Sequence, residues 1–174
     1  MLLLITVVGA YLYLQSSQPA WWDRLVYPLA YTSIVRTHAA DEHLDPALLA
    51  AVIYTESKFQ PAVRSTTGAI GLMQLQPRTA EGIAIHTGGT RFHISDLYNP
   101  EINVRYGAWY LRHLLDKYGD ERMALAAYNA GQANVDRWRA EKVGIQFPET
   151  RAYVARVESL KKIYRKAYGS KLGS

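Results

Sequence analysis

The sequence predicts a mainly α-helical domain with at most a minimal β element. Three observations predict it. No run of alternating apolar and polar residues lasts beyond a few positions, apolar residues recur at i, i+3 and i+4, and Gly, Pro and Ser clusters cut the chain into helix-length pieces. A first helix is expected over 28–42, stopping before Leu44-Asp45-Pro46. Asp45 then caps a second helix, and Pro46 takes its first turn, where no amide partner is lost. That helix runs to about Ser57 and breaks at Gln60-Pro61. Residues 61–71 form a loop carrying Ser65, Thr66, Thr67 and Gly68, after which a short helical piece leads to Gln74. Pro77 starts a helix ending near Ala84, and 86–98 is irregular, turning at Gly88-Gly89. Asn99-Pro100 opens a long helix to Tyr118 that Gly119 closes. Asp120 starts another to about Asn129, Gly131 separates it from 132–141, and a last helix runs from about Glu149 to Tyr168. Tyr153, Val154, Val157 and Leu160 are its apolar positions at helical spacing.

The 174 residues are 49% apolar and 20% charged, which excludes a disordered chain and allows one cored domain plus a short extension. There is no Cys, so thiol catalysis and Cys-based zinc sites are excluded as well. Twenty basic against fifteen acidic side chains leave a formal charge of +5, which suits an anionic partner such as nucleic acid, a membrane surface or an acidic cell-wall polymer.

Residues 2–14 contain no charge, and the first basic side chain is Arg24, after Trp21 and Trp22. Thirteen apolar residues fall short of the roughly 20 that span a bilayer. Extension to the tryptophans makes a marginal span with an aromatic belt at its end. A secretory signal and a buried N-terminal helix are the other readings, although a signal would want basic residues at its start. The expectation is a hydrophobic anchor or export signal over 1–24 and a catalytic domain over 25–174, outside the cytoplasm.

One side chain in the second helix is out of pattern. Leu49, Val52 and Ile53 form an apolar stripe, and the next position on that face is Glu56, near the carbonyl end of the helix. Burial and the negative helix end both disfavour the carboxylate, so such a group can keep its proton near neutral pH and act as a general acid. The alternative is a Glu that curls into solvent at a frayed end. Beyond it come Gly68-Ala69-Ile70-Gly71-Leu72-Met73-Gln74, suited to a tight backbone passage beside a ligand, and Ala127-Tyr128-Asn129-Ala130-Gly131 at a helix end. The Gln74 amide suits sugar hydroxyls and acetamido groups.

In this order and spacing, Glu56-Ser57, Gly71-Leu72-Met73-Gln74, the Ala127–Gly131 run and Glu149-Thr150-Arg151 followed by Tyr153-Val154 resemble the catalytic domain of the soluble lytic transglycosylases of bacterial peptidoglycan. That domain is similar to goose-type lysozyme. Tyr27-Pro28-Leu29-Ala30-Tyr31 also looks like the segment that precedes the family's catalytic helix, so the resemblance covers about 27–165. It implies a lysozyme-like fold and cleavage of the β-1,4 bond between N-acetylmuramic acid and N-acetylglucosamine without water. Glu56 matches the single catalytic acid. Ser65 matches a hydroxyl near the acetamido group, Met73 and Gln74 match cleft-lining positions, and Tyr128 matches the phenol near the carboxyl. Asn129 matches a polar residue shaping the site, and Glu149 an acid reaching toward substrate, although a helix-start acid is also an ordinary cap. The Thr66-Thr67 pair departs from the family, which often has a proline nearby, and is expected to alter the loop only.

The resemblance implies no cofactor and no metal. His86, His93 and His113 are too scattered for a metal-ligand pattern. Lys161, Lys162, Arg165 and Lys166 read as a solvated face, the functional alternative being a weak attraction for anionic glycan or lipid. No nucleic-acid motif accompanies the charge. The expected partners are peptidoglycan strands, a membrane at the N-terminal segment and cell-envelope machinery, with a monomeric protein. Two rival functions are a lysozyme-like hydrolase, for which Glu81, Asp96 or Glu101 would supply a second carboxylate, and a catalytically idle glycan-binding domain.

Overall fold

The computed structural model describes residues 4, 6–9, 11, 13, 19–89 and 91–173. Among these the elements are α1 (Ala20–Val26), α2 (Thr32–Asp41), α3 (Pro46–Ser57), α4 (Pro77–His86), a 3-10 helix (Ile94–Tyr98), α5 (Pro100–Tyr118), α6 (Glu121–Ala130), α7 (Gln132–Ala140) and α8 (Pro148–Leu172). The mainly α expectation holds. The described residues contain no strand, and the minimal β element is two isolated bridges, Arg64 with Ile70 and Ile70 with Leu75. The expected hydrophobic segment 1–24 lies largely outside the described residues before Pro19. No helix among the described residues is long and apolar enough to cross a membrane.

The capping chemistry works where it was expected. The Asp45 carboxylate accepts from the Ala47 amide, Asn99 from Glu101 and Asp120 from Met123, with Pro46 and Pro100 in first turns. Gly119 closes α5 in the left-handed region at φ 66°.

Three expectations need correction. Helix formation does not begin at 28. Residues 20–26 form α1, and 27–31 are a strap in which two backbone carbonyls are taken by phenols, Tyr164 donating to Pro28 and Tyr168 to Tyr27, while Tyr54 donates to the Val26 carbonyl at the end of α1. Tyr31 sits at φ 53°, so helical geometry starts only at Thr32. Residues 71–74 are a turn, because Gly71 (φ 81°) and Gln74 (φ 47°) are both left-handed. The last helix continues past Gly169 to Leu172, because Tyr164, Ala167, Tyr168 and Leu172 prolong its buried face.

The apolar stripe expected of α3 is also too narrow. Every residue from Ala47 to Tyr54 is buried, so the helix is enclosed on all sides, as an all-round apolar helix must be. It packs chiefly against α8, and α6 packs against α5, α7 and α8. Beyond its capped first residue, α3 approaches the surface at its carbonyl end, where Thr55 and Glu56 are half-buried. Lys58 and Phe59, at φ 52° and 61°, then turn the chain away.

The basic face of α8 is not simply solvated. Lys161 pairs with Glu121 at 2.7 Å, Arg165 with Asp45, and Lys166 with the buried Asp23 of α1 at 3.1 Å. Arg24 of α1 also donates to the Ala167 carbonyl at 2.9 Å. Residues 20–24, grouped with the N-terminal segment in the sequence, thus share a helix docked on α8.

Candidate functional site

Glu56 lies in the last turn of α3, part-buried, and the Tyr153 hydroxyl of α8 donates to its Oε1 at 2.7 Å. It does not fray into solvent. Desolvation pushes its pKa up to about 7 against a smaller opposing effect of the Tyr153 hydrogen bond. Near neutral pH the carboxyl is therefore poised between acid and carboxylate, as a group that must give and regain a proton requires. The Tyr153 and Tyr128 phenols are held well above their ordinary pKa by burial and next by the charge of Glu56. Both remain protonated donors.

The turn over Glu56 is built by one buried side chain. Asn103 of α5, fully buried, accepts from the Met73 amide at 2.7 Å and donates to the carbonyls of Ile70 at 2.9 Å and Leu97 at 2.8 Å. A Cβ at Gly71 would lie 2.3 Å from both Asn103 Nδ2 and the Leu97 carbonyl, so glycine is required there. Ser57, next to Glu56, donates to the Leu72 carbonyl at 2.7 Å, and Tyr128 of α6 donates to the Met73 carbonyl at 2.8 Å. The residues 71–74 are thereby tied to α3, α5 and α6 at once.

The remaining expected site residues divide. Met73 is fully buried against Gly107, so it presents its backbone carbonyl to Tyr128 and not its side chain to a ligand. The Gln74 amide nitrogen donates to the carbonyls of Gly71 and Val63, which commits its donors to the loop that the sequence reading had offered to sugar. Ser65 is part-buried, accepts from the Ala69 amide and pairs with Thr67 at 2.9 Å, so the Thr66-Thr67 departure does enter the loop's hydrogen bonding. Asn129 accepts from the buried Thr150 hydroxyl at 2.7 Å, which joins the end of α6 to the start of α8. Glu149 is exposed beside it in the first turn of α8.

Two of the candidate second carboxylates are engaged elsewhere and the third is exposed. Asp96 accepts from the His93 amide, Glu101 pairs with the buried His38 at 2.6 Å, and Glu81 is exposed on α4. His86 and His113 flank Trp109, and His93 caps the 3-10 helix.

This arrangement, one acid at the end of a buried helix between two phenols, coincides with what the chain is similar to. A family model described as the transglycosylase SLT domain matches residues 33–147. The chain belongs to the SLT transglycosylase family. The soluble lytic murein transglycosylase of Salmonella typhimurium is 34% identical over 169 residues, 86% of this chain and 25% of that protein. The membrane-bound lytic murein transglycosylase F of Yersinia pestis is 37% identical over 113 residues, 61% of this chain and 21% of that protein. The crystal structure of the 70-kDa soluble lytic transglycosylase of Escherichia coli superposes with a TM-score of 0.78 at 30% identity, covering 87% of this chain and 26% of that one. The chain thus spans about a quarter of the length of these SLT-family relatives, and the lysozyme-like fold expected of it is the fold they share.

One residue of the candidate site, Asn103, was not singled out in the sequence; the available signal was an amide on the same face as Gly107. Tyr153 stood there as an apolar position of the last helix and as part of a family motif, with no role beside Glu56.

Proposed function

We propose that this SLT-family domain is a peptidoglycan lytic transglycosylase. The observation that carries the reading is a single part-buried carboxyl, Glu56, raised to about 7 with a phenol on one oxygen and no acid bonded to it. In the reaction its proton passes to the glycosidic oxygen between N-acetylmuramic acid and N-acetylglucosamine, and that C1–O bond breaks. The resulting carboxylate takes the proton of the muramoyl C6 hydroxyl while the C6 oxygen bonds to C1. The product carries a 1,6-anhydro ring, and Glu56 ends protonated again. A pair of carboxylates at a set separation is needed when water or the enzyme supplies the nucleophile; here the substrate supplies it. Tyr153 orients Glu56 Oε1, and Tyr128, with Met73, braces the wall beside it. Asn129, Ser65, Gln74 and Glu149 are proposed to line the substrate path, Gln74 through its carbonyl oxygen. The muramoyl acetamido group stabilises the cationic centre. Action on peptidoglycan implies a place in the extracytoplasmic cell envelope, with residues 1–24 as anchor or export signal and 25–174 as the catalytic unit.

Mass spectrometry of digested peptidoglycan tests the reaction. Products about 18 Da lighter than hydrated muropeptides, the loss of one water, are expected, and hydrated ends alone would overturn the reading in favour of a hydrolase.

The pH profile tests the acid. Cleavage requires protonated Glu56 and should fall as pH rises through about 7. The Tyr153 hydrogen bond favours the carboxylate, so Tyr153→Phe should move that fall to higher pH and slow cleavage by about tenfold through lost positioning. A variant that slows the rate without moving the limb would leave Tyr153 as packing only.

A further inference from the structure

A second hollow lies one ring away from the Glu56 site. Residues of α4 and α5 and the start of α7 enclose about 340 Å3, and Arg78, His86 and His113 line it with no carboxylate among its described lining residues. Arg78 is exposed and has no hydrogen bond or ion pair with the described residues. Trp109 forms the apolar wall: the His113 ring stacks on it at 5.5 Å and 4°, and His86 meets it at 6.1 Å. Tyr110 lines the same hollow and packs at 5.6 Å on Tyr128, whose hydroxyl holds the Met73 carbonyl. Of the acids on these helices, Asp116 pairs with Arg112, Asp136 with Lys117 and Glu101 with His38, and the exposed Glu81, three residues beyond Arg78 on α4, does not line the hollow.

An unpartnered guanidinium beside imidazoles and an indole is built for a carboxylate on an apolar stem. In an N-acetylated glycan strand the sugars are neutral, and the carboxylates belong to the peptide attached to muramic acid. We propose that this hollow receives that acidic peptide, with Arg78 pairing to one of its carboxylates, and so favours peptide-bearing strands over bare ones. The inference rests on the reading of the domain as a peptidoglycan-cleaving enzyme.

Binding to the full chain carrying Glu56→Gln tests it without turnover. The probes are a soluble disaccharide-tripeptide fragment and a peptide-free tetrasaccharide, followed through the Trp109 indole N–H resonance. The peptide fragment should shift that resonance. Arg78→Glu should cut the ratio of its affinity to that of the bare sugar about tenfold, and Arg78→Lys, which keeps charge without the planar fork, should cut it less. Equal losses on both probes, no loss on either, or no response at Trp109 would overturn the proposal. Anhydro products from wild-type protein are read separately. Their absence with peptide binding intact defeats the parent reading alone, and their presence with an unchanged ratio defeats this one alone.

Discussion

Glu56→Gln is expected to lower glycan cleavage by about a thousandfold or more, because the same group must act first as acid and then as base and an amide does neither. The fold should survive, since Gln keeps an oxygen to accept the Tyr153 hydroxyl that bonds Oε1 in the native protein. It should in fact become more stable, with a definite pH dependence. The folded-state value of about 7 lies above the ordinary 4.5, so the protonated carboxyl favours the folded state fully below pH 4.5. That contribution is lost as pH rises through 7, where the folded protein must ionise a desolvated group. Urea unfolding should find the variant more stable than wild type by roughly 2–3 kcal/mol at pH 8 and nearly equal to it at pH 4. Residual cleavage within a factor of about ten of wild type would remove Glu56 from the chemistry, and equal stability at both pH values would contradict its desolvation.

Asn103→Ala is expected to cost about 3–5 kcal/mol of stability. The side chain is fully buried and holds the Met73 amide and the carbonyls of Ile70 and Leu97. Its removal leaves the Met73 amide and the Leu97 carbonyl without partners, while the Ile70 carbonyl keeps only the Leu75 amide, in a space that admits no easy collapse. Asn103→Asp should also be severe, because it replaces the donor facing two carbonyls with an acceptor. The local effect reaches the site: Met73 carries the carbonyl that Tyr128 bonds, so release of 71–74 loosens the wall beside Glu56. Hydrogen exchange at the Met73 amide should accelerate well beyond that of amides in α8. A loss below about 1 kcal/mol would mean that the turn is held by Ser57 and Gly71 geometry without Asn103.

The local elements were largely legible because their causes are local. Asp45-Pro46, Asn99-Pro100, Asp120 and Gly119 act within a single turn of chain, and α3, α5, α6 and α7 begin and end within a residue or two of the expected positions. Strap 27–31 was not legible, because its carbonyls are satisfied by phenols of Tyr164 and Tyr168, far along the chain. Nor was the turn at 71–74, whose left-handed glycine answers to Asn103 and Leu97 on another element. Four basic residues on one helix looked solvated in the sequence, but three of them meet acids contributed by α1, the α3 cap and α6.

The candidate site divides along the same line. Glu56 stands out in the sequence because a carboxyl in an apolar pattern is anomalous wherever the helix packs, and the order of motifs around it identifies the SLT family. The sequence by itself therefore determined the helical class, the capped boundaries and the place of Glu56 as a carboxyl out of pattern. Only the tertiary structure decided that Tyr153 holds that acid, that Met73 serves through its carbonyl, and that the Gln74 donors are spent on the loop. The physical reason is range. Caps and hydrophobic periods act over a few residues and are written consecutively, whereas hydrogen bonds between buried groups and the desolvation that raises Glu56 exist only once distant segments have excluded water together.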